Sequence, residues 1–223
     1  MRIVLMGPPG AGKGTQARLM TQRLGLVHLS SGDIFRDARS KGSHLGEELA
    51  KYMDKGELVP DELVVSVMTQ AIAESDSSAG ILLDGFPRTV PQAKALDNQL
   101  EKTQKPLDAV VLIEADEELI VQRITGRRSC PNCGKIFHVE FMPSTKGEFC
   151  DACDEGKVKL IQRKDDTEQV VRQRLAAYRE QTEPVVDYYQ QAGKKIIECD
   201  GSRPPEKLAD ELAETLQPLV RQG

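Results

Sequence analysis

Short apolar runs of strand length alternate along the chain with longer stretches of helical periodicity. The runs are Ile3–Met6, Ile81–Leu83, Ala109–Ile113 and Lys195–Glu198, with a weaker fifth at Val27–Leu29. Between them lie Gly14–Leu24, Asp61–Glu74, Pro91–Lys102, Glu117–Ile124, Thr167–Gln191 and Glu206–Leu216, whose polar and apolar positions suit helices. Continuous apolar strands separated by amphipathic helices predict an α/β fold, a parallel sheet buried on both faces by crossover helices. Two stretches break the rhythm. From Ser30 to Pro60 there is no strand, only short helix-like pieces punctuated by glycine. From Arg127 to Lys164 the chain is rich in cysteine, glycine and charge, with β-like residues only around Ile136–Val139. Both are too long for ordinary loops and read as small inserts over the carboxyl end of the sheet, where ligands bind in such folds.

Composition narrows the partners. The 223 residues suffice for one sizeable core, and no apolar run is long enough to span a membrane. The first apolar run is too short for a signal peptide and leads straight into a glycine motif, so a cytoplasmic protein is expected. A net charge of −5, the absence of a basic run and the lack of tryptophan argue against nucleic acid as a partner.

The segment Gly7-Pro8-Pro9-Gly10-Ala11-Gly12-Lys13-Gly14-Thr15 sits between the first strand and the first helix. It fits the phosphate-loop pattern with one displacement, Gly14 standing between Lys13 and Thr15. Glycines let successive backbone N–H groups curl around phosphate oxygens, the helix N-terminus adds positive potential, and Lys13 reaches the bridging or terminal oxygens. After the third strand, Asp84-Gly85-Phe86-Pro87-Arg88 puts a carboxylate beside that loop. Asp84 is placed to organise Mg2+ through its water shell, and Arg88 offers a planar fork to a phosphate. Arg123, Arg127, Arg163 and Arg174 recur around the second insert, where closure would bring their charges onto a transferring phosphoryl group and exclude water. Phosphoryl transfer runs on positioning and charge neutralisation, so His28, His44 and His138 are not assigned catalytic roles.

Four of the five cysteines form two C-x-x-C knuckles, Cys130/Cys133 and Cys150/Cys153. That spacing suits a tetrahedral metal with four thiolate ligands, zinc foremost and iron also admissible. With no open coordination position the metal is expected to be structural, stapling an insert too poor in apolar residues to form its own core. Cys199 reads as an ordinary small core residue.

Taken together, Gly7–Gln16, Ser31-Gly32-Asp33-Ile34-Phe35-Arg36, Leu58-Val59-Pro60, Asp84–Arg88 with Gln92, and Arg163-Lys164-Asp165-Asp166 make the chain resemble adenylate kinases of the bacterial long-lid type. The resemblance runs from Arg2 to the C-terminal helix. It implies a P-loop nucleoside monophosphate kinase-like fold, a five-stranded parallel sheet flanked by helices, with a helical insert and a zinc-ribbon lid. The core would comprise residues 1–29, 60–126 and 165–223, the monophosphate insert 30–59 and the lid 127–164. It further implies reversible, Mg2+-dependent transfer between ATP and AMP giving two ADP. Gly10, Ala11, Gly12, Lys13, Gly14, Thr15, Arg123 and Arg127 would hold ATP, its adenine lying near Asp200–Arg203. Ser31, Arg36, Gly85 and Arg88 would take the monophosphate, and the Glu57, Leu58 and Val59 backbone with Gln92 its adenine. Lys13, Arg88, Arg127, Arg163 and Arg174 would carry the transfer, Asp165 and Asp166 orienting the arginines. A monomer is expected. Ser31 and Arg203 stand where the family more often has threonine and lysine. Another nucleoside monophosphate or a GTP donor, a partner-coupled P-loop ATPase, and a zinc-dependent nucleic-acid module are the competing readings.

Overall fold

The structure, a computed structural model, describes residues 1–75, 80–153 and 157–219. The expected core and lid segments also cover 76–79, 154–156 and 220–223, which lie outside the described residues. Five parallel strands form one sheet in the order β2-β3-β1-β4-β7. These are β1 (Arg2–Met6), β2 (Val27–Ser30), β3 (Ile81–Asp84), β4 (Ala109–Glu114) and β7 (Ile196–Asp200). A separate antiparallel ribbon pairs β5 (Arg127–Ser129) with β6 (Ile136–His138).

Strand alternation divides the core into two layers. Val4, Met6, Ile81, Leu83, Val110 and Leu112 face one side, packing with Val64 and Met68 of α4 (Asp61–Glu74), Leu96 and Leu100 of α5 (Val90–Lys102), and Val185 and Tyr189 of α8 (Glu183–Gln191). Ile3, Leu5, Leu82, Ala109, Val111 and Ile113 face the other, against Ala17 and Met20 of α1 (Lys13–Leu24) and Leu208 and Leu212 of α9 (Pro205–Leu216). Because both faces are covered, the central strands are apolar throughout, as the sequence pattern required.

The register decides where the chemistry sits. Leu5 and Ser30 both lie opposite Asp84, and Glu114 lies opposite Asp200. The phosphate loop, the Ser30–Ser31 junction, Asp84 and the Asp200–Arg203 turn therefore emerge at one edge of the sheet. Over that edge stand α2 (Ser31–Ser40) and α3 (His44–Met53) from the first insert. Ser30 caps α2 by accepting from the Asp33 N–H, and Ser43 caps α3 by accepting from the Gly46 N–H. The second insert joins α6 (Glu117–Thr125) to α7 (Glu168–Ala177).

One expected element is divided. The helix predicted over Thr167–Gln191 runs as α7, a π-helical turn at Tyr178–Thr182, and α8. Pro184 lacks the N–H that would bond four residues back, and its ring crowds that carbonyl, so the turn before it widens. The strand edges also shift by a residue or two, β2 ending at Ser30 and β7 at Asp200. Among the described residues, no helix is long and apolar enough to cross a membrane.

Gly7 links this core to the loop above it. Its φ is +133°, and a Cβ there would lie 2.0 Å from the Ile113 carbonyl oxygen of β4. Gly7→Ala should cost about 2 kcal/mol or more of folding stability, read by urea denaturation at constant slope. A midpoint equal to wild type would contradict this packing.

Candidate functional site

The loop from Gly7 to Gly12 turns back on itself through three glycines at positive φ, Gly7, Gly10 and Gly12. Gly10 is pressed against Ile120 and Ile124 of α6, whereas a Cβ on Gly12 would meet nothing within 4 Å. One side of the loop is thus fixed to the core and the other is open to an anion at the start of α1. Ala11 is buried beneath, and the N–H of Thr15 bonds the Gly12 carbonyl at 3.0 Å. The Lys13 ammonium crosses the loop, donating to the Gly7 and Pro8 carbonyls at 2.7 and 2.8 Å. Desolvation, against the attraction of Asp84 and helped by repulsion from Arg88, Arg174 and Arg127, brings Lys13 down to about 8.

Beside it, Asp84 ends β3, with His28 Nε2 at 3.5 Å and the Gly14 Cα environment close by. The next carbonyl, Gly85, is a hub. It accepts from Ser31 Oγ at 2.7 Å and from Arg88 Nε at 2.9 Å. Gly85 has φ +76°, and a Cβ on it would strike Ser31 Oγ at 2.7 Å, so the crossing of these two elements requires glycine. Gln92 is 1% exposed. Its Oε1 accepts from the Arg88 N–H at 2.8 Å, and its Nε2 donates to Asp61 Oδ1 at 2.7 Å. The segment Glu57–Leu58–Val59 runs from α3 to α4, anchored by the Glu57 N–H on the Tyr52 carbonyl and by burial of Val59.

The remaining cations come in from the first insert, the second insert and α7. Arg127 makes a two-pronged ion pair with Asp166, which is wholly buried. Arg174 Nη1 donates to Asp165 Oδ2 at 2.7 Å, and Arg163 Nε to Ser129 Oγ at 3.0 Å. Arg36 pairs with Asp33, whose carboxyl, though burial pushes it up, is held below the usual range chiefly by that guanidinium. Desolvation and the charges of Arg36 and Arg127 lower Arg163 to about 10; desolvation, with Arg127 and Arg88, does the same to Arg174. Arg88 is also lowered, by desolvation and then by Arg36 against the pull of Asp84. These mutual effects show Lys13, Arg36, Arg88, Arg127, Arg163 and Arg174 standing within electrostatic reach of one another at the carboxyl edge of the sheet, like charges held together by the fold against their repulsion.

Arg123 donates to the Gly201 carbonyl at 2.8 Å, tying α6 to the Asp200–Arg203 turn. The Arg203 side chain points elsewhere, held by Glu211 of α9, so only its backbone belongs to that turn. Asp61, Thr89, Asp33 and His28 are contacts that sequence reasoning missed. Asp61 and Thr89 read as a first-turn acid and an N-cap, and nothing in their spacing announces that they meet.

In the second insert the four sulfurs of Cys130, Cys133, Cys150 and Cys153 lie within 4.8 Å of one another. Cys130–Cys153 and Cys133–Cys150 are each 3.6 Å apart. Those separations exclude disulfides and approach the roughly 3.8 Å edge of a tetrahedron with metal–sulfur bonds of about 2.3 Å. Burial opposes ionisation of Cys130, but N–H groups of Cys133 and Asn132 outweigh it and bring the thiol to about 7. The residues fit a tetrahedral thiolate-bound ion. Among the described residues, the buried apolar cluster here adds Phe137 to these cysteines, with Val158 and Leu160 packed against it. His138 is not a fifth candidate. Its Nδ1 accepts from the Glu140 and Phe141 N–H groups and its Nε2 meets the Gln122 carbonyl at 3.1 Å, pinning the insert to α6.

Comparison with known proteins agrees over the whole chain. The family model for adenylate kinase matches residues 5–194. An adenylate kinase of Petrotoga mobilis is 47% identical over 222 residues, covering 100% of both chains. One from Clostridium kluyveri is 49% identical over 86% of this chain and 88% of its own. One from Archaeoglobus fulgidus is 42% identical over 98% and 99%.

The lowered Lys13 value makes a prediction with a definite sign. The folded state disfavours the ammonium, so the full penalty applies below about 8 and is relieved as pH rises toward the unfolded value of 10.5. The stability of wild type relative to Lys13→Met should therefore rise by roughly 1–3 kcal/mol between pH 7 and pH 10, measured by paired denaturant melts. A constant difference would refute the buried ammonium.

Proposed function

Because the chain belongs to the adenylate kinase family, it is an ATP:AMP phosphotransferase, and we propose that the arginine-lined cleft is where transfer takes place. An oxygen of the AMP phosphate bonds to the γ-phosphorus of ATP while the β–γ bridge breaks, leaving ADP on each side. The single observation that supports this cleft is the convergence of six cations above a phosphate loop, matched to two polyanions that must meet end to end.

In this reading Gly10, Ala11, Gly12, Lys13, Gly14 and Thr15 hold the ATP phosphates with Arg127, and Arg123 with the backbone at Arg203 lines its base. Ser31, Arg36, Gly85 and Arg88 hold the acceptor phosphate, while Glu57, Leu58, Val59 and Gln92 border its base. Arg163 and Arg174 face the transferring group, with Asp166 and Asp165 aiming Arg127 and Arg174. No general base is needed, since the attacking phosphate oxygen is already ionised. Bound Mg2+ supplies charge neutralisation across the phosphates, and Asp84 is the carboxylate placed to orient its water shell. Residues 30–59 and 127–164 act as covers on a core of 1–29, 60–126 and 165–223, and shutting them excludes water, which would otherwise take the phosphoryl group. The four cysteines hold structural Zn2+, in keeping with a reducing, cytoplasmic setting. The nucleotides are the only partners in this reading, and the chain acts as a monomer.

Purified protein with Mg2+ should convert ADP into equal amounts of ATP and AMP, followed by chromatography. Arg88→Ala should lower kcat by about 100-fold or more. ADP left intact, or only hydrolysed to AMP and phosphate, would defeat the proposal. Stripping zinc with a chelator should lower the melting temperature and leave protease sites in 127–164 open. An unchanged melt, with no metal released to a colorimetric chelator, would exclude the staple.

A further inference from the structure

Gln92 carries a detail that the reaction itself does not explain. A primary amide has two hydrogens and two acceptor positions. Here one hydrogen goes to Asp61 Oδ1 at 2.7 Å and one acceptor position to the Arg88 N–H at 2.8 Å. Asp61 is itself held, because Thr89 Oγ1 donates to its other oxygen at 2.9 Å. Thr89 also caps α5 by accepting from the Gln92 N–H at 3.3 Å, so the three side chains lock one another across the start of α4 and α5.

A carboxylate facing a primary amide accepts, and a backbone N–H only donates. Rotating the Gln92 amide by half a turn would set its carbonyl against Asp61 and its NH2 against the Arg88 N–H, two like-with-like contacts in a nearly solvent-free place. The orientation of this amide is therefore dictated by chemistry rather than by fit. What remains unengaged is one hydrogen and one acceptor position, in a fixed sense.

We infer that Asp61 is a positioning residue for base selection, fixing the Gln92 amide so that the acceptor site takes a 6-aminopurine monophosphate and refuses a 6-oxopurine one. This rests on the reading that Gln92 borders the acceptor base. A 6-aminopurine offers an acceptor at N1 beside a donor at the 6-position, which complements the remaining hydrogen and acceptor of Gln92. A 6-oxopurine reverses both, with a proton on N1 and an acceptor at position 6. To read it, the amide would have to turn over, and Asp61 with the Arg88 backbone opposes that. Sites that leave their own polar groups mismatched reject an analogue strongly.

The test compares AMP with inosine 5′-monophosphate, which differs only at that edge, on the full chain with ATP and Mg2+. Asp61→Asn keeps the shape and can present either a donor or an acceptor. It should lower the AMP-over-inosinate ratio of kcat/KM by about tenfold or more, mainly through KM. A purely structural role would reduce both substrates in parallel, and an unchanged ratio in Asp61→Asn overturns the lock. Gln92→Leu separates the two ideas. A ratio lost in Gln92→Leu but retained in Asp61→Asn sinks the lock alone, whereas a ratio retained in Gln92→Leu shows that Gln92 does not read the base. A second readout needs no variant to fold. In the wild-type protein without nucleotide, both Gln92 side-chain amide hydrogens should exchange slowly in nitrogen-15 NMR, the one held by Asp61 the more slowly. Equal, fast exchange of both also overturns the proposal.

Discussion

Like charges held close together are the constraint from which the rest of this structure follows. Lys13, Arg36, Arg88, Arg127, Arg163 and Arg174 lie within electrostatic reach of one another in a chain whose overall charge is −5. Burial first, and then repulsion from Arg36, Arg88, Arg127 and Arg174, lowers the proton affinity of Lys13, Arg88, Arg163 and Arg174, so the arrangement costs free energy until anions enter. Four carboxylates keep it from flying apart: Asp33, Asp84, Asp165 and Asp166. Asp33 pairs with Arg36, Asp165 with Arg174 and the wholly buried Asp166 with Arg127, while Asp84 attracts Lys13 and Arg88. A site left partly unneutralised is preorganised for polyanions, because the electrostatic cost is met during folding and not at the moment of reaction.

Such a cluster requires a frame that does not yield. The alternating apolar strands supply it, clamped by helices on both faces, with β1 in the middle of the sheet. Backbone contacts then carry that rigidity to the site. Gly7 lies on the Ile113 carbonyl, Gly85 between Ser31 and Arg88, and Gly201 within reach of the Ala11 carbonyl. At each of these points a side chain would push apart the phosphate loop and β4, the Ser31 and Arg88 segments, or the phosphate loop and the Asp200–Arg203 turn. The inserts are built differently. The first lays Phe35 and Leu49 into the main core through two capped short helices packed closely at Gly46, whereas the second, with little buried apolar surface, is held by four cysteines and a His138 pin.

Much of this could be read from residue order alone. The parallel sheet followed from runs such as Ala109–Ile113, the phosphate loop from Gly7–Thr15 between strand and helix, and the metal cluster from two paired cysteine knuckles. These are local signals, with the physics written into adjacent residues. The unread parts depend on contacts between residues of different elements. Asp61 meets Gln92, Arg203 turns to Glu211, Arg123 reaches Gly201, and His138 grips Gln122, each through a side chain whose type fits many settings. The π-helical turn before Pro184 was missed, the whole stretch Thr167–Gln191 being read as one helix, because helices absorb prolines in several ways. That Arg127, Arg163 and Arg174 come near the phosphate loop and one another was legible from their positions; which carboxylate holds which was not.

The central claim is that the two nucleotides share one field of positive charge, and not two independent pockets. Calorimetric titration with two adenosines joined through five phosphates tests it most directly. The account predicts one molecule bound per chain, with affinity lost on replacing either Arg36 or Arg163 by alanine, although these side chains come from different inserts. Two molecules per chain, or an affinity indifferent to both substitutions, would contradict it.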